Sequence, residues 1–145
     1  MIQKATPAHI LPLAKLACTL WPDHSLDEMA GEMAALMENP AAACFLAYEG
    51  AEPVGFAQCQ LRRDYVEGTD TSPVGYLEGI YVMEAYRHQG RARALLSACQ
   101  QWAMEMGCLE FASDCEINNT QSLAFHLAMG FQEANRIICF TKKLP

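Results

Sequence analysis

The stretch YLEGIYVMEAYRHQGRARALL, Tyr76 to Leu96, holds two different periodicities joined by a turn. Tyr76 to Met83 is rich in β-branched and aromatic residues and predicts a buried strand. From Arg91 to Met106 the apolar positions are Leu95, Leu96, Cys99, Trp102, Ala103 and Met106, the spacing of one helix face, and Gly107 stands where a C-terminal cap belongs. Between them lies Arg87-His88-Gln89-Gly90-Arg91-Ala92, an R-x-x-G-x-A turn. A small-residue turn that ends a strand and opens a helix gathers several backbone N–H groups into one space. The helix dipole adds partial positive charge there, so the place suits a pyrophosphate.

The chain has 145 residues, 52% hydrophobic and 19% charged, which predicts a single domain over 1–145 with a sizeable core and argues against disorder. No apolar run approaches a membrane span, and Met1-Ile2-Gln3-Lys4 does not open a signal peptide. Seven cysteines (Cys18, Cys44, Cys59, Cys99, Cys108, Cys115 and Cys139) are odd in number and lack a C-x-x-C pair. They sit mostly in apolar stretches and read as small core residues in a reducing cytoplasm, with no metal site. Net charge is −7 without a basic run, so nucleic acid is a poor partner and a polycation a plausible one.

No repeat or linker divides the chain. Ile2 to Ala5 predicts a short strand, and Thr6-Pro7 a turn before a helix over Leu11 to Leu20, which Trp21-Pro22 ends. Ser25-Leu26-Asp27-Glu28 has the form of a capping box and predicts a second helix to about Glu38. Cys44 to Tyr48 and Pro53 to Leu61 predict paired strands; Arg63 to Pro73 predicts a long loop. After the central strand and helix come a strand over Cys108 to Asp114 and a helix capped at Asn118-Asn119 and ending at Met129-Gly130. Phe131 to Ala134 and Arg136 to Lys142 read as final strands. The order describes an α/β (mixed α+β) architecture, a mixed sheet with helices on its faces.

The R-x-x-G-x-A turn after such a strand resembles the acetyl-coenzyme A signature of GNAT acetyltransferases. A second match follows in family order, Asn119 to Phe131, where an Asn opens a helix that closes on Gly130-Phe131. The resemblance implies a GNAT fold whose splayed central strands, Tyr76–Met83 and Cys108–Asp114, hold acetyl-CoA as acetyl donor. It implies that the amides of Gln89, Gly90, Arg91 and Ala92, with Arg87, His88 and Arg93 nearby, bind phosphates. Backbone groups of Ile80, Tyr81 and Val82 would pair with the pantetheine arm, and Asn119 would meet that arm or cap its own helix. Many relatives place a Tyr four residues before the final Gly to protonate the leaving thiolate. Here the position is His126, so the acid is this imidazole or a water.

Glu78 interrupts an apolar strand, and a carboxylate there is costly unless it meets a cation or acts as a base. Asp114 ends the neighbouring predicted strand, either as a second acid at the same mouth or as a cap of the next turn. Leu20-Trp21-Pro22, Arg63 to Gly68, Ser72-Pro73, Leu77 to Ile80 and Ala112-Ser113-Asp114 together resemble one GNAT branch, the bacterial aminoglycoside 6′-N-acetyltransferases. That resemblance spans nearly the whole chain. It implies an antibiotic site lined by Trp21, Tyr65, Glu78 and Asp114, with His24 close by and Asn135 where a relative carries an acid. It further implies 6′-N-acetylation of aminoglycosides, antibiotic resistance and a homodimer, to which the apolar segment Ile137 to Phe140 contributes; a core strand is the other reading of that segment. Acidic clefts with flat aromatic walls suit ammonium-bearing sugars. Acetylation of another polyamine or peptide amine, and a non-catalytic coenzyme A sensor, are the competing readings.

Overall fold

A computed structural model describes all 145 residues. Strand β1 (Ile2–Lys4) leads through a 3-10 turn at Pro7–His9 into helix α1 (Ile10–Leu20), followed by helix α2 (Leu26–Glu38). Strands β2 (Ala42–Glu49), β3 (Glu52–Arg62) and β4 (Val74–Val82) come next. Helix α3 (Arg91–Glu105), strand β5 (Phe111–Ser113) and helix α4 (Thr120–Ala128) complete the order. The five strands form one sheet in sequence order, antiparallel from β1 to β4 and parallel between β4 and β5.

Period-2 alternation distributes the strand residues over two apolar layers. Ala43, Phe45, Ala57, Cys59 and Leu77 meet Leu95, Leu96, Cys99 and Trp102 of α3 on one face. Cys44, Leu46 and Phe56 meet Leu13, Ala17, Met29 and Met33 of α1 and α2 on the other. Each fully buried side chain of Leu, Met or Phe size contributes roughly 1.5–3 kcal/mol, so both helix layers are firmly seated.

The helix signals work locally as read, with one exception. Ser25 Oγ accepts from the Glu28 N–H at 3.1 Å, but no return bond from the Glu28 side chain completes the capping box. Glu28 instead points toward His24. Four cysteines, Cys44, Cys59, Cys99 and Cys108, are buried thiols, and burial pushes Cys44 up to about 12. Cys115 and Cys139 are exposed, contrary to the core reading, because the segments that carry them lie outside both layers.

The end of the chain differs most from expectation. Neither Phe131 to Ala134 nor Arg136 to Lys142 forms a strand, and β5 contracts to three residues. Ile137 (66% exposed), Ile138 (81%) and Phe140 (87%) lie on the surface, so the core-strand reading of this segment is wrong for a single chain. The physical reason is topological. Both helix-covered layers are already filled, and the outer edge of β5 receives no strand from its own chain.

Candidate active site

The register of β4 builds the acidic part of the site. Across from β3, Gln58 pairs with Gly79 and Cys59 with Leu77, so Glu78 has no opposite residue. This bulge turns Glu78 and Gly79 toward the α1/α2 face, where alternation also sends Tyr76. Arg62, at the end of β3, grips Glu78 with two parallel bonds, Nε to Oε1 and Nη2 to Oε2, both 2.9 Å. The same guanidinium stacks 3.4 Å from the centroid of the Tyr76 ring. The Tyr76 hydroxyl in turn donates to the Asp114 carboxylate, just past β5. Glu78, Arg62, Tyr76 and Asp114 thus form one connected unit at the mouth between β4 and β5. Burial, and then the bond to Asp114, hold the Tyr76 phenol well above its ordinary value, so it stays a donor.

Trp21, following α1, closes one side. Its ring meets Phe56 edge-on with centroids 5.9 Å apart and lies directly on Gly79. Tyr65 is 79% exposed, and its hydroxyl donates to Glu67 at 3.0 Å. Asn135 Nδ2 donates to the other Glu67 oxygen at 3.0 Å, and these two donors lower the Glu67 carboxyl below its usual value. Asn135 is thereby engaged by the loop. Tyr65 and Arg62 share the wall of an open polar hollow of ≈ 360 Å³ with Gln60, Leu61, Arg63 and Asp64. His24 Nδ1 faces Glu28 and Glu32 of α2, each at 3.8 Å.

Beyond Leu77, β4 loses its neighbour. β5 pairs only Gly75, Tyr76 and Leu77, so the edge from Glu78 to Val82 faces an opening that can accept an extended ligand as an added strand. The Val82 carbonyl already accepts from Arg87 Nε at 2.7 Å. At the turn, Gly90 adopts φ +83° with nothing within 4 Å of the position its Cβ would take. No protein acceptor receives the N–H groups of Gly90 to Arg93, and no side chain caps α3, so these amides present an open anion cradle. Its geometry fits a pyrophosphate. His88 also has a left-handed backbone, φ +62°, at the rim. Arg91 is turned inward to the Tyr86 carbonyl (3.2 Å), Gln89 (2.6 Å) and Glu49, whereas Arg93 is exposed.

Asn119 caps α4, its Oδ1 accepting from the Ser122 N–H at 3.0 Å. His126 lies on the other sheet face from the acids. Its Nδ1 is 2.7 Å from the Ser122 carbonyl, which fixes that nitrogen as a donor, and its Nε2 is 2.8 Å from Ser113 Oγ. Ser113 is the last paired residue of β5, opposite Leu77, where the sheet opens. No group of three or more His, Cys, Asp or Glu side chains is arranged to hold a metal ion.

Sequence reading passed over Arg62, Tyr76 and Ser113. A strand ending at Leu61 and a loop starting at Arg63 leave Arg62 assigned to neither. One more residue of the same alternation places it beside the Tyr76–Glu78 segment.

The acetyltransferase (GNAT) family matches residues 10–131. An aminoglycoside N(6′)-acetyltransferase type 1 from Stenotrophomonas maltophilia is 43% identical over 99% of this chain and 93% of its own length. One from Acinetobacter haemolyticus is 38% identical over 99% and 98%. The solved structure of AAC(6′)-Iy with a bisubstrate analogue, CoA-S-monomethyl-acetylneamine, superposes with a TM-score of 0.96 at 36% identity, covering 99% of this chain and 98% of that one. The chain belongs to the GNAT acetyltransferase family and, within it, to the aminoglycoside 6′-N-acetyltransferase branch.

Proposed function

We infer that this protein is an enzyme that transfers the acetyl group of acetyl-CoA to the 6′-amine of aminoglycoside antibiotics, and that all 145 residues serve as one catalytic unit. The observation that carries this reading is the opening of the sheet at Glu78. There an unpaired strand edge and an anion cradle lead to a mouth holding two carboxylates and an indole. The donor supplies an activated acyl group. The amides of Gly90 to Arg93 hold its phosphates, and the β4 edge from Glu78 to Val82 aligns its arm. Trp21 and Tyr65 provide flat surfaces for sugar rings, Asp114 binds an ammonium group, and Glu78 orients the amine for attack. Asp114 is exposed and takes the amine proton directly or through a water. A water, or His126 acting through Ser113 when both of its ring nitrogens carry protons, returns a proton to the leaving thiolate.

The test is thiol release from acetyl-CoA by purified protein, with kanamycin-type drugs compared with analogues bearing a 6′-hydroxyl. Turnover restricted to the 6′-amine supports the reading. Turnover with both moves the target to another amine, and none with either, despite acetyl-CoA binding, sinks it. Expression in a susceptible bacterium should raise the inhibitory concentration of 6′-amino drugs alone.

We also propose a homodimer acting in the cytoplasm. Each chain offers an open β5 edge and an exposed β-branched segment, Ile137 to Phe140, and two copies can satisfy both needs reciprocally. The buried thiols suit a reducing compartment. Light scattering on the full chain and on a chain truncated after Asn135 tests this: a monomeric full chain would refute the dimer, and a truncated chain that still dimerises would refute the role of Ile137 to Phe140. No helix is long and apolar enough to cross a membrane.

A further inference from the structure

The acids of the mouth are not independent. Glu78 has only 19% of its side chain exposed, and both of its oxygens are taken by Arg62. Arg62 rests on the Tyr76 ring, and Tyr76 holds Asp114 through its hydroxyl. A planar guanidinium forked to a carboxylate and stacked on an aromatic face is constrained in both position and tilt, which an ammonium group could not reproduce. The guanidinium also balances one of the two carboxylates. A polycation entering the mouth therefore meets one uncompensated negative charge rather than two.

We propose that Arg62 is a positioning and specificity-determining residue of the acceptor site. It locks Glu78 in the orientation that aligns the amine and keeps the mouth from gripping polycations too strongly in unproductive poses. The inference rests on the acetyltransferase reading above. Arg62 acts through Glu78 and touches neither donor nor reacting atoms. With Arg62 present, Glu78 guides the acceptor as a fixed carboxylate, and Asp114 remains the carboxylate free to accept a proton. Without it, Glu78 is left to pair with whichever ammonium arrives first, and binding energy goes into the ground state instead of the transition state.

Arg62→Met and Arg62→Lys, alone and combined with Glu78→Gln, test this by steady-state kinetics and by calorimetric aminoglycoside binding. Melting temperature and acetyl-CoA KM serve as folding controls. Arg62→Met should lower kcat roughly tenfold or more while KM and Kd for the drug fall several-fold, a split that a merely structural role would not give. Arg62→Lys keeps the charge but loses the fork and the stack, so kcat should fall with little change in Kd. It also reports on the same contact should the Met variant fold poorly. In the Glu78→Gln background Arg62→Met should cost little further. Unchanged kcat in both single variants, or losses that simply multiply in the double variant, would overturn the proposal. Absence of turnover by the unaltered enzyme would count against the functional reading instead.

Discussion

The indole of Trp21 occupies the space a side chain at Gly79 would need: a Cβ there falls 2.6 Å from Cζ2 and 2.7 Å from Cη2. One wall of the mouth beside Glu78 thus exists because its neighbour has no side chain. Gly79→Ala must displace the ring, at about 1–3 kcal/mol for overpacking. The expected outcome is a several-fold rise in aminoglycoside KM and a lower melting temperature, with acetyl-CoA KM unchanged. Unaltered drug kinetics would show that Trp21 is only packing.

Tyr76 gives the next prediction. Tyr76→Phe removes the donor to Asp114 but keeps the ring under Arg62, so kcat/KM should fall by a factor of about 5–30, on the order of a charge-assisted hydrogen bond (~1–2 kcal/mol). The folded phenol binds its proton more tightly than the unfolded one. Stability from this proton is complete below the ordinary tyrosine value and is lost as pH rises above it. Denaturant titrations of wild type and Tyr76→Phe between neutral and strongly alkaline pH should converge at the alkaline end; parallel curves would refute this.

Glu110, just before β5, anchors the loop that carries Tyr65. One carboxylate oxygen accepts from the Asp70 N–H (2.9 Å), the Thr71 N–H (2.8 Å) and the Thr71 hydroxyl (2.5 Å). The Thr71 hydroxyl and then the Asp70 N–H hold the carboxyl below its usual value. The anchor is therefore intact above the ordinary glutamate range and released only as pH falls through the lowered value. Glu110→Ala should raise drug KM several-fold and speed amide exchange in residues 63–73, with acetyl-CoA kinetics preserved. Slow exchange in the variant would place the anchor elsewhere.

At the donor end, Gly90 combines φ +83° with free space around its Cβ position, so substitution there is a backbone question rather than a clash. Gly90→Ala should cost about 1–2 kcal/mol in holding the left-handed conformation. Acetyl-CoA KM should rise while drug binding stays the same. An unchanged acetyl-CoA KM would mean that the turn does not form the anion cradle.

Much of this architecture was legible because it depends on local rules. The switch from period 2 to 3.6 between Tyr76 and Leu96 located β4 and α3, and Gly107 marked the end of that helix. Ser25 announced α2, and Asn119 announced α4. The unread parts involve partners far apart in sequence. Nothing near Arg62 reveals that it will grip Glu78, and Tyr76 and Asp114 meet only because β4 and β5 pair in parallel. The last fifteen residues failed for a related reason. Alternating apolar residues announce a strand, but not whether the same chain has an edge to receive it.

The unpaired residue in β4 bears on how such an enzyme can change. A β-strand usually offers consecutive side chains to opposite faces, yet here Glu78 and the bare Gly79 both serve one side. Acid and aromatic wall are consequently tied to a single ladder offset. Loss or gain of one residue anywhere between Tyr76 and Val82 would invert the strand, moving Ile80 and Tyr81 along with the carboxylate. Drift in drug preference has freer ground in the polar stretch from Arg63 to Pro73, where insertions disturb no ladder. The mouth at Glu78 is written in strand register, whereas the polar stretch beside it is free of that constraint.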